Sequence, residues 1–202
     1  MRSFSEIETI SKRASRGAGF SWGVSEEIGK SIRLLEMFGL PGILYLKSYL
    51  EKISKHNYQN ITIISAENIS NNIPYCPISV GVNFMDQAYN LEKIEKINFS
   101  NLAYPLLVLP FLSRSSEIIG KKILLKFENF KFLFNYNQSI FSNFDNSLVS
   151  KTTNFFVNFN QNKDSFDKMT WDTLYKISQK TFVDETESSK KTSAGAGLID
   201  ND

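Results

Sequence analysis

The spacing of apolar residues changes near residue 60, and this change constrains the fold more than any other feature of the sequence. Before it, apolar side chains recur every three or four residues, as in an amphipathic helix. After it, short stretches alternate apolar and polar residues, as strands do. Helices followed by strands predict an α+β protein. We expect one domain over 1–202, with a helical layer (1–55) on a mostly antiparallel sheet (60–160), then a C-terminal helix and glycine-rich tail (168–202).

Three helices are predicted in the N-terminal layer. The first begins at a capping box of Ser3 and Glu6, whose side chains satisfy free amides at the helix start, and it ends at Gly17. The second runs from about Trp22 to residue 38, and Pro41 begins the third. The apolar positions of the three helices are, in order, Phe4, Ile7, Ile10 and Ala14; Val24, Ile28, Ile32, Leu35 and Phe38; and Ile43, Leu46, Leu50 and Ile53. On the opposite side of the second helix, Glu26 and Lys30 have the spacing of an i,i+4 ion pair.

The second region contains the predicted strands. They are expected at residues 61–64, 76–82, 104–112, 123–127, 131–136 and 152–159. In the last of these, Phe155, Val157 and Phe159 recur with a period of two and are expected on one face. The stretch 104–112 is apolar on both faces, as a central buried strand would be, and 123–127 with 131–136 has the pattern of a hairpin. After a polar loop, Thr170 is placed to cap a helix. Its inward-pointing residues are expected to be Trp171, Leu174, Tyr175 and Ile177.

Composition excludes several kinds of site. The net charge is only +2, which argues against a nucleic-acid partner. One cysteine, Cys76, allows no internal disulfide and suits a reducing compartment. The N-terminus lacks a signal-peptide pattern, and the longest apolar run is too short to span a bilayer. We therefore expect a cytoplasmic protein with no membrane partner, no cofactor and no metal. With His56 as the only histidine, a Ser-His-Asp mechanism is not expected.

Two terminal segments carry the candidate ligand-binding residues. In the first, two arginines precede a glycine-rich turn, and a tryptophan and a glutamate follow it; in the second, a glycine-rich run ends on acidic residues. The candidates are Arg13, Arg16, Gly17, Gly19, Ser21, Trp22, Glu26, Gly195, Gly197, Asp200, Asn201 and Asp202. Backbone amides at the start of a helix favour a carboxylate or phosphate, and two arginines one turn apart can donate to the same anion.

Each of these residues also has a plainer interpretation. The arginines can be solvated charges at a helix end, and the glycines can simply make a tight turn. We favour a core position for Trp22 over a stacking platform. Glu26 and Glu27 diverge by about 100° on a helix, so both cannot face one site. One of them can pair with Arg13 or Arg16, or both can face solvent.

The acidic C-terminal run suggests a docked tail. Gly195 and Gly197 permit close approach of backbone to another surface, and Asp200 and Asp202 add negative charge. We predict that this run folds back toward the arginine turn. It can instead enter a partner's pocket, hold a hard cation such as Mg²⁺ through oxygen ligands, or remain solvated.

The same two segments resemble a bacterial family, the domain of unknown function 3726 (DUF3726). In that family's N-terminal block, this chain has Arg16-Gly17-Ala18-Gly19, Ser21-Trp22-Gly23 and Glu26-Glu27; in its C-terminal block, it has Gly195-Ala196-Gly197-Leu198 and Asp200-Asn201-Asp202. The resemblance implies no established activity, so it transfers no catalytic role to any residue.

Two classes of function follow from the sequence. The first is an accessory or interaction protein whose terminal motifs form one surface for a protein partner or a small acidic metabolite. The second is a small enzyme acting on a carboxylate-bearing metabolite, with Arg13 or Arg16 holding the anion and Asp200 or Asp202 as acid or base. The scarcity of histidine and cysteine favours the first.

Overall fold

The computed structural model describes residues 2–53, 57–160 and 164–181. The chain divides into two compact units, Met1–Asn162 and Lys163–Asp202. In the described part of the first unit the helices are α1 (Phe4–Gly17), α2 (Trp22–Met37), α3 (Gly42–Ile53), α4 (Pro77–Asp86), α5 (Ala88–Leu91) and α6 (Leu109–Ile119). Its strands are β1 (Glu67–Asn68), β2 (Lys96–Phe99), β3 (Leu102–Ala103), β4 (Lys122–Phe127), β5 (Phe130–Asn135), β6 (Ser139–Ser142), β7 (Lys151–Thr152) and β8 (Phe155–Asn160). These elements confirm the predicted α+β class.

The three predicted N-terminal helices are confirmed. The capping box is formed as expected, with the Glu6 amide 3.1 Å from Ser3 Oγ and the Ser3 amide 3.1 Å from Glu6 Oε2. These bonds satisfy amides that the first helical turn leaves without partners. The start of α2 at Trp22 was also predicted correctly.

Small residues, and not the predicted apolar stripe, join α1 to α2. The buried positions at this contact are Ser11, Ser15, Ser25 and Gly29, which lets the two backbones approach closely. The stripe faces elsewhere, because Phe4 is 46% and Ile10 is 59% exposed. The predicted face of α3 is partly confirmed: Leu46 is buried, and Leu50 and Ile53 pack against the core. Ile43, however, is 41% exposed, and the other buried residues are Gly42, Tyr45 and Tyr49.

Two predicted strands are in fact helices. Residues 76–82 begin α4, where the Cys76 side chain caps the helix and Pro77 takes a first-turn position. Residues 104–112 form a 3₁₀ turn (Pro105–Val108) that continues into α6. Both prolines of this second stretch stand where a helix start needs no amide hydrogen. An apolar run buried on all sides has no period that separates a helix from a strand.

The stretch 61–64, predicted as a strand, belongs to no strand in the structure. Its backbone is satisfied by side chains of α4 instead. The Ser79 hydroxyl lies 2.9 Å from both the amide and the carbonyl oxygen of Ile61. Asn83 donates to the same carbonyl at 2.8 Å, so this segment is held against the helix.

The main sheet has the strand order β1-β2-β8-β4-β5-β6. All neighbours are antiparallel except β1 and β2. The β4–β5 hairpin is confirmed, with Phe127 opposite Phe130 across the turn. The last strand, β8, lies between β2 and β4, and its Phe155 and Val157 are buried on one face as predicted.

Helix α6 connects the N-terminal helices to this sheet. It packs on β4 and β5 with one side and on α2 and α4 with others. An ion pair between Arg114 of α6 and Glu27 of α2 joins the two helices, and Arg114 also donates to Ser31 Oγ at 3.0 Å. A second, two-stranded sheet pairs β3 with β7.

The second unit contains α7 (Lys168–Ser178). Its N-cap is Asp167, whose carboxylate accepts from the Thr170 amide at 2.7 Å, so the predicted cap at Thr170 was wrong by three residues. The residues expected to point inward are each more than half exposed: Trp171, Leu174, Tyr175 and Ile177. Whether the chain forms one domain stays a prediction.

Among the helices of the described ranges, none is both long and apolar enough to cross a bilayer.

Candidate functional site at the turn between α1 and α2

A four-residue connection joins α1 to α2. Gly17 is the last residue of α1, and Gly19 has a φ of +101°, which a residue with a side chain rarely adopts. Ser21 then caps α2: its hydroxyl accepts from the Val24 amide at 3.4 Å, and its carbonyl accepts from the Ser25 amide at 2.9 Å. The sequence thus fixes where α2 begins and which way its first amides point.

Trp22 is not the core residue that we favoured from the sequence. Its side chain is 62% exposed. The guanidinium carbon of Arg16 lies 5.2 Å from the centre of its ring, within the range of a cation–π contact. Arg16 Nη1 also donates to the Phe20 carbonyl at 2.8 Å. The arginine and the tryptophan are therefore held together on the surface.

The glycines around this pair are uncovered. A Cβ atom added at Gly17, Gly19 or Gly23 would meet no other atom within 4 Å in the described part of the chain. The amides of Trp22 and Gly23, in the first turn of α2, have no acceptor among the described residues. The turn consequently presents bare backbone beside a cationic and aromatic pair.

The nearby carboxylates are bound to other cations. Glu26 accepts from Lys12 at 2.5 Å, and this hydrogen bond lowers the pKa of Glu26. It does not form the predicted pair with Lys30, which lies 2.8 Å from Glu27 instead. Neither glutamate pairs with Arg13 or Arg16, so that option from the sequence is wrong.

Glu27 has the more buried environment of the two glutamates. Burial acts to raise its pKa, but hydrogen bonds from Lys30 and Arg114 outweigh it and the pKa is lowered. Glu27 therefore stays ionised and belongs to the α2–α6 contact. Sequence reasoning missed Arg114 as a partner because 87 residues separate the two.

Arg13 remains the free cation of the pair that we singled out. It is exposed, and within the ranges that the structure describes it makes no ion pair and no hydrogen bond. Among the described residues, Arg16 contacts only the Trp22 ring and the Phe20 carbonyl oxygen in this way. Both positive charges are thus available to an anion.

The C-terminal candidates lie outside the described residues. These are Gly195, Gly197, Asp200, Asn201 and Asp202, together with the tail's predicted docking on the turn and its possible cation site. In the part that is described, no group of three or more potential metal ligands comes together.

The fold and this surface define an α+β protein whose second helix begins at an exposed arginine–tryptophan turn. A family model described as "Protein of unknown function (DUF3726)" matches residues 2–73. The match supports the resemblance inferred from the N-terminal motif, over a range that includes the turn but not the C-terminal motif. No curated protein and no solved structure matches the chain.

Proposed function

We propose that the protein is an accessory or interaction protein and that the α1–α2 turn is its binding surface for an acidic partner. The partner is a protein segment or a small acidic metabolite, and the glycine-rich run at 195–202 forms part of the same surface. The observation that carries the proposal is the exposed Trp22 ring with the Arg16 guanidinium held over it.

This pair has the chemistry of a recognition surface. Tryptophan and arginine are the side chains that most often dominate the binding energy of protein interfaces. Because Arg16 is already held by the Phe20 carbonyl, its side chain loses less conformational entropy when a partner binds. The surface is therefore arranged before a partner arrives.

The charges around the turn favour an acidic partner. Glu26 and Glu27 are neutralised by lysines and by Arg114, whereas Arg13 and Arg16 keep their charge for an anion. The bare backbone at Gly17 and Gly23 lets a partner's main chain or carboxylate come close.

The test uses the indole N–H resonance of Trp22 in the full chain and in a chain shortened by residues 193–202. We expect the resonance to move when the segment is deleted, and to return when a peptide with the sequence of 193–202 is added. Citrate added to the full chain serves as the small-acid probe, and we expect it to move the same resonance.

Two variants complete the test. Arg16→Ala is expected to abolish the effects of the peptide and of citrate. Arg2→Ala removes an exposed arginine that lies just before α1 and that pairs, among the described residues, only with Glu6; it is expected to change neither. Equal responses in the two variants, or no movement of the Trp22 resonance in any arm, would overturn the proposal.

A further inference from the structure

Four short segments lie side by side next to the end of α3. Gln59 bridges to Tyr75, Tyr75 bridges to Leu102, and Leu102 pairs with Thr152. Residues beside these bridges enclose a cleft of about 520 Å³. A volume of this size suits a small molecule, and the bridges hold the segments that line it together.

The lining of the cleft combines positive charge with aromatic rings. Lys52 and Lys151 both line it, and neither has an ion-pair partner among the residues that the structure describes. Tyr58 supplies a partly exposed ring, and Asn57 and Asn72 supply amide groups. The ring of Tyr104 itself is buried. Charged and amide donors beside an aromatic ring are suited to an anion that also carries a ring.

Tyr104 is strained where it forms the cleft wall. Its φ of 42° and ψ of 60° are left-handed, a rare conformation for a bulky side chain. Three contacts hold it there: its amide donates to Ser150 O at 3.0 Å, its hydroxyl donates to Ser48 O at 3.0 Å, and its ring lies 5.6 Å from that of Tyr49. Strain of this kind, fixed by its surroundings, is concentrated at functional sites.

The strand register places Lys151 at the cleft. Ala103, a lining residue, is directly opposite Lys151 in the β3–β7 pair. The next residue, Thr152, is buried and donates to Glu128 at 2.8 Å. Because successive side chains of a strand point to opposite sides, burial of Thr152 directs Lys151 outward. Lys52 reaches the cleft from the last turn of α3.

We propose that this cleft binds a small organic anion, with its phosphate or carboxylate at Lys52 and Lys151 and its ring against Tyr58. The site is a second one, since no residue of the α1–α2 turn lines it. It gives the protein a small-molecule ligand in addition to the acidic partner proposed for the turn.

The experiment measures binding of three probes to the full chain by calorimetry and by the shift in melting temperature. Phenyl phosphate and benzoate carry a ring and an anion; inorganic phosphate carries the anion alone. We expect at least one ring-bearing probe to bind, and to bind more tightly than inorganic phosphate. Comparison of phenyl phosphate with benzoate identifies the anionic group that the site prefers.

Variants locate the bound probe. Lys52→Gln and Lys151→Gln are each expected to weaken binding about tenfold, the loss of one charge-assisted contact. Lys47→Gln, on the same helix but outside the cleft, is expected to leave binding unchanged. Tyr58→Leu is expected to weaken phenyl phosphate but not inorganic phosphate, because only the first has a ring to stack.

Failure of all three probes to bind, or equal affinities for Lys52→Gln, Lys151→Gln and Lys47→Gln, would overturn the proposal. Arg16→Ala separates it from the function proposed for the turn: that variant should still bind the ring-bearing probe. If Arg16→Ala lost probe binding while Lys52→Gln kept it, the anion would bind at the turn, and the proposal for the cleft would be rejected.

Discussion

Glycine has opposite roles in the α4–α6 contact and in the α1–α2 turn. A Cβ added at Gly81 of α4 would lie 2.3 Å from the Phe111 ring of α6, whereas one added at Gly17 or Gly23 would meet nothing within 4 Å of described protein. Gly81 is thus required by packing. Of the turn glycines, Gly19 is required by its positive φ. Packing among the described residues does not require a glycine at Gly17 or Gly23. The comparison distinguishes a glycine that close packing requires from glycines that leave the backbone exposed at the surface.

The pair of helices α1 and α2, called here the α1–α2 hairpin, contains both kinds of glycine. Gly29 lies in the contact between its two helices, where an added Cβ would be 2.8 Å from the Glu8 carbonyl oxygen. A Cβ added at Gly23, six residues earlier on α2, would meet no described atom within 4 Å. Substitutions at these positions test whether the distinction holds.

Gly81→Ala is expected to have the largest effect, a loss of about 3 kcal/mol in the free energy of unfolding. The new methyl overlaps a buried ring in a packed core, and one of the two must move. Urea denaturation measures the loss. Phe111→Leu in the same chain should recover part of it, and a loss from Gly81→Ala no larger than that from Gly23→Ala would break the comparison.

Glu27→Gln tests the ion pair between Glu27 of α2 and Arg114 of α6. We expect a loss of about 2 kcal/mol at neutral pH, because Arg114 is left without its charged partner. The pKa of Glu27 is lowered from 4.5 in the folded protein, so its stabilising effect is present above that pH and is lost as the pH falls through the folded pKa.

The measurement for Glu27→Gln is urea denaturation of both chains over a pH series. The difference in unfolding free energy between them should be greatest near pH 7 and shrink below pH 4.5. Glu26→Gln is the control, because its exposed pair with Lys12 should contribute little. A difference that is independent of pH would show that the negative charge of Glu27 does not stabilise the contact.

Gly29→Ala is expected to destabilise by about 1 kcal/mol. The clash with the Glu8 carbonyl separates the two backbones, and the higher helix propensity of alanine offsets part of that cost. The same urea experiment measures it. A stabilised variant would show that the hairpin contact tolerates a methyl group and that small residues there are not required by packing.

Gly23→Ala is expected to have the smallest effect and the opposite sign, a gain of about 0.5 kcal/mol. Alanine favours the helix more than glycine does, and its methyl group would contact no described atom within 4 Å. The melting temperature should therefore rise slightly. If the bare backbone serves a partner, this stabilised variant should nevertheless bind the 193–202 peptide more weakly; unchanged binding would separate the glycine from recognition.

Sequence patterns predicted the elements that depend on local chemistry. The capping box at Ser3 and Glu6, the start of α2 after Ser21, and the β4–β5 hairpin are each specified by residues close together in the chain. The alternation of Phe155 and Val157 placed their shared face correctly. For the binding surface, the sequence predicted the turn and its two arginines, but not that Trp22 is exposed.

The remaining features depended on contacts between distant residues. The buried runs 76–82 and 104–112 were assigned as strands, although Pro77, Pro105 and Pro110 at helix starts were an available signal. The partners of Glu26 and Glu27 and the cleft between Lys52 and Lys151 come from segments far apart in the chain.

The sequence by itself determined where the N-terminal helices begin and end, because caps, prolines and glycines act on backbone within a few residues. Only the tertiary structure decided which face of α1 is buried. Small residues at Ser11, Ser15 and Gly29 let α1 and α2 pack on their less apolar sides, and this left Phe4 and Ile10 at the surface. Burial depends on the neighbour that each face meets, and no local pattern specifies that neighbour.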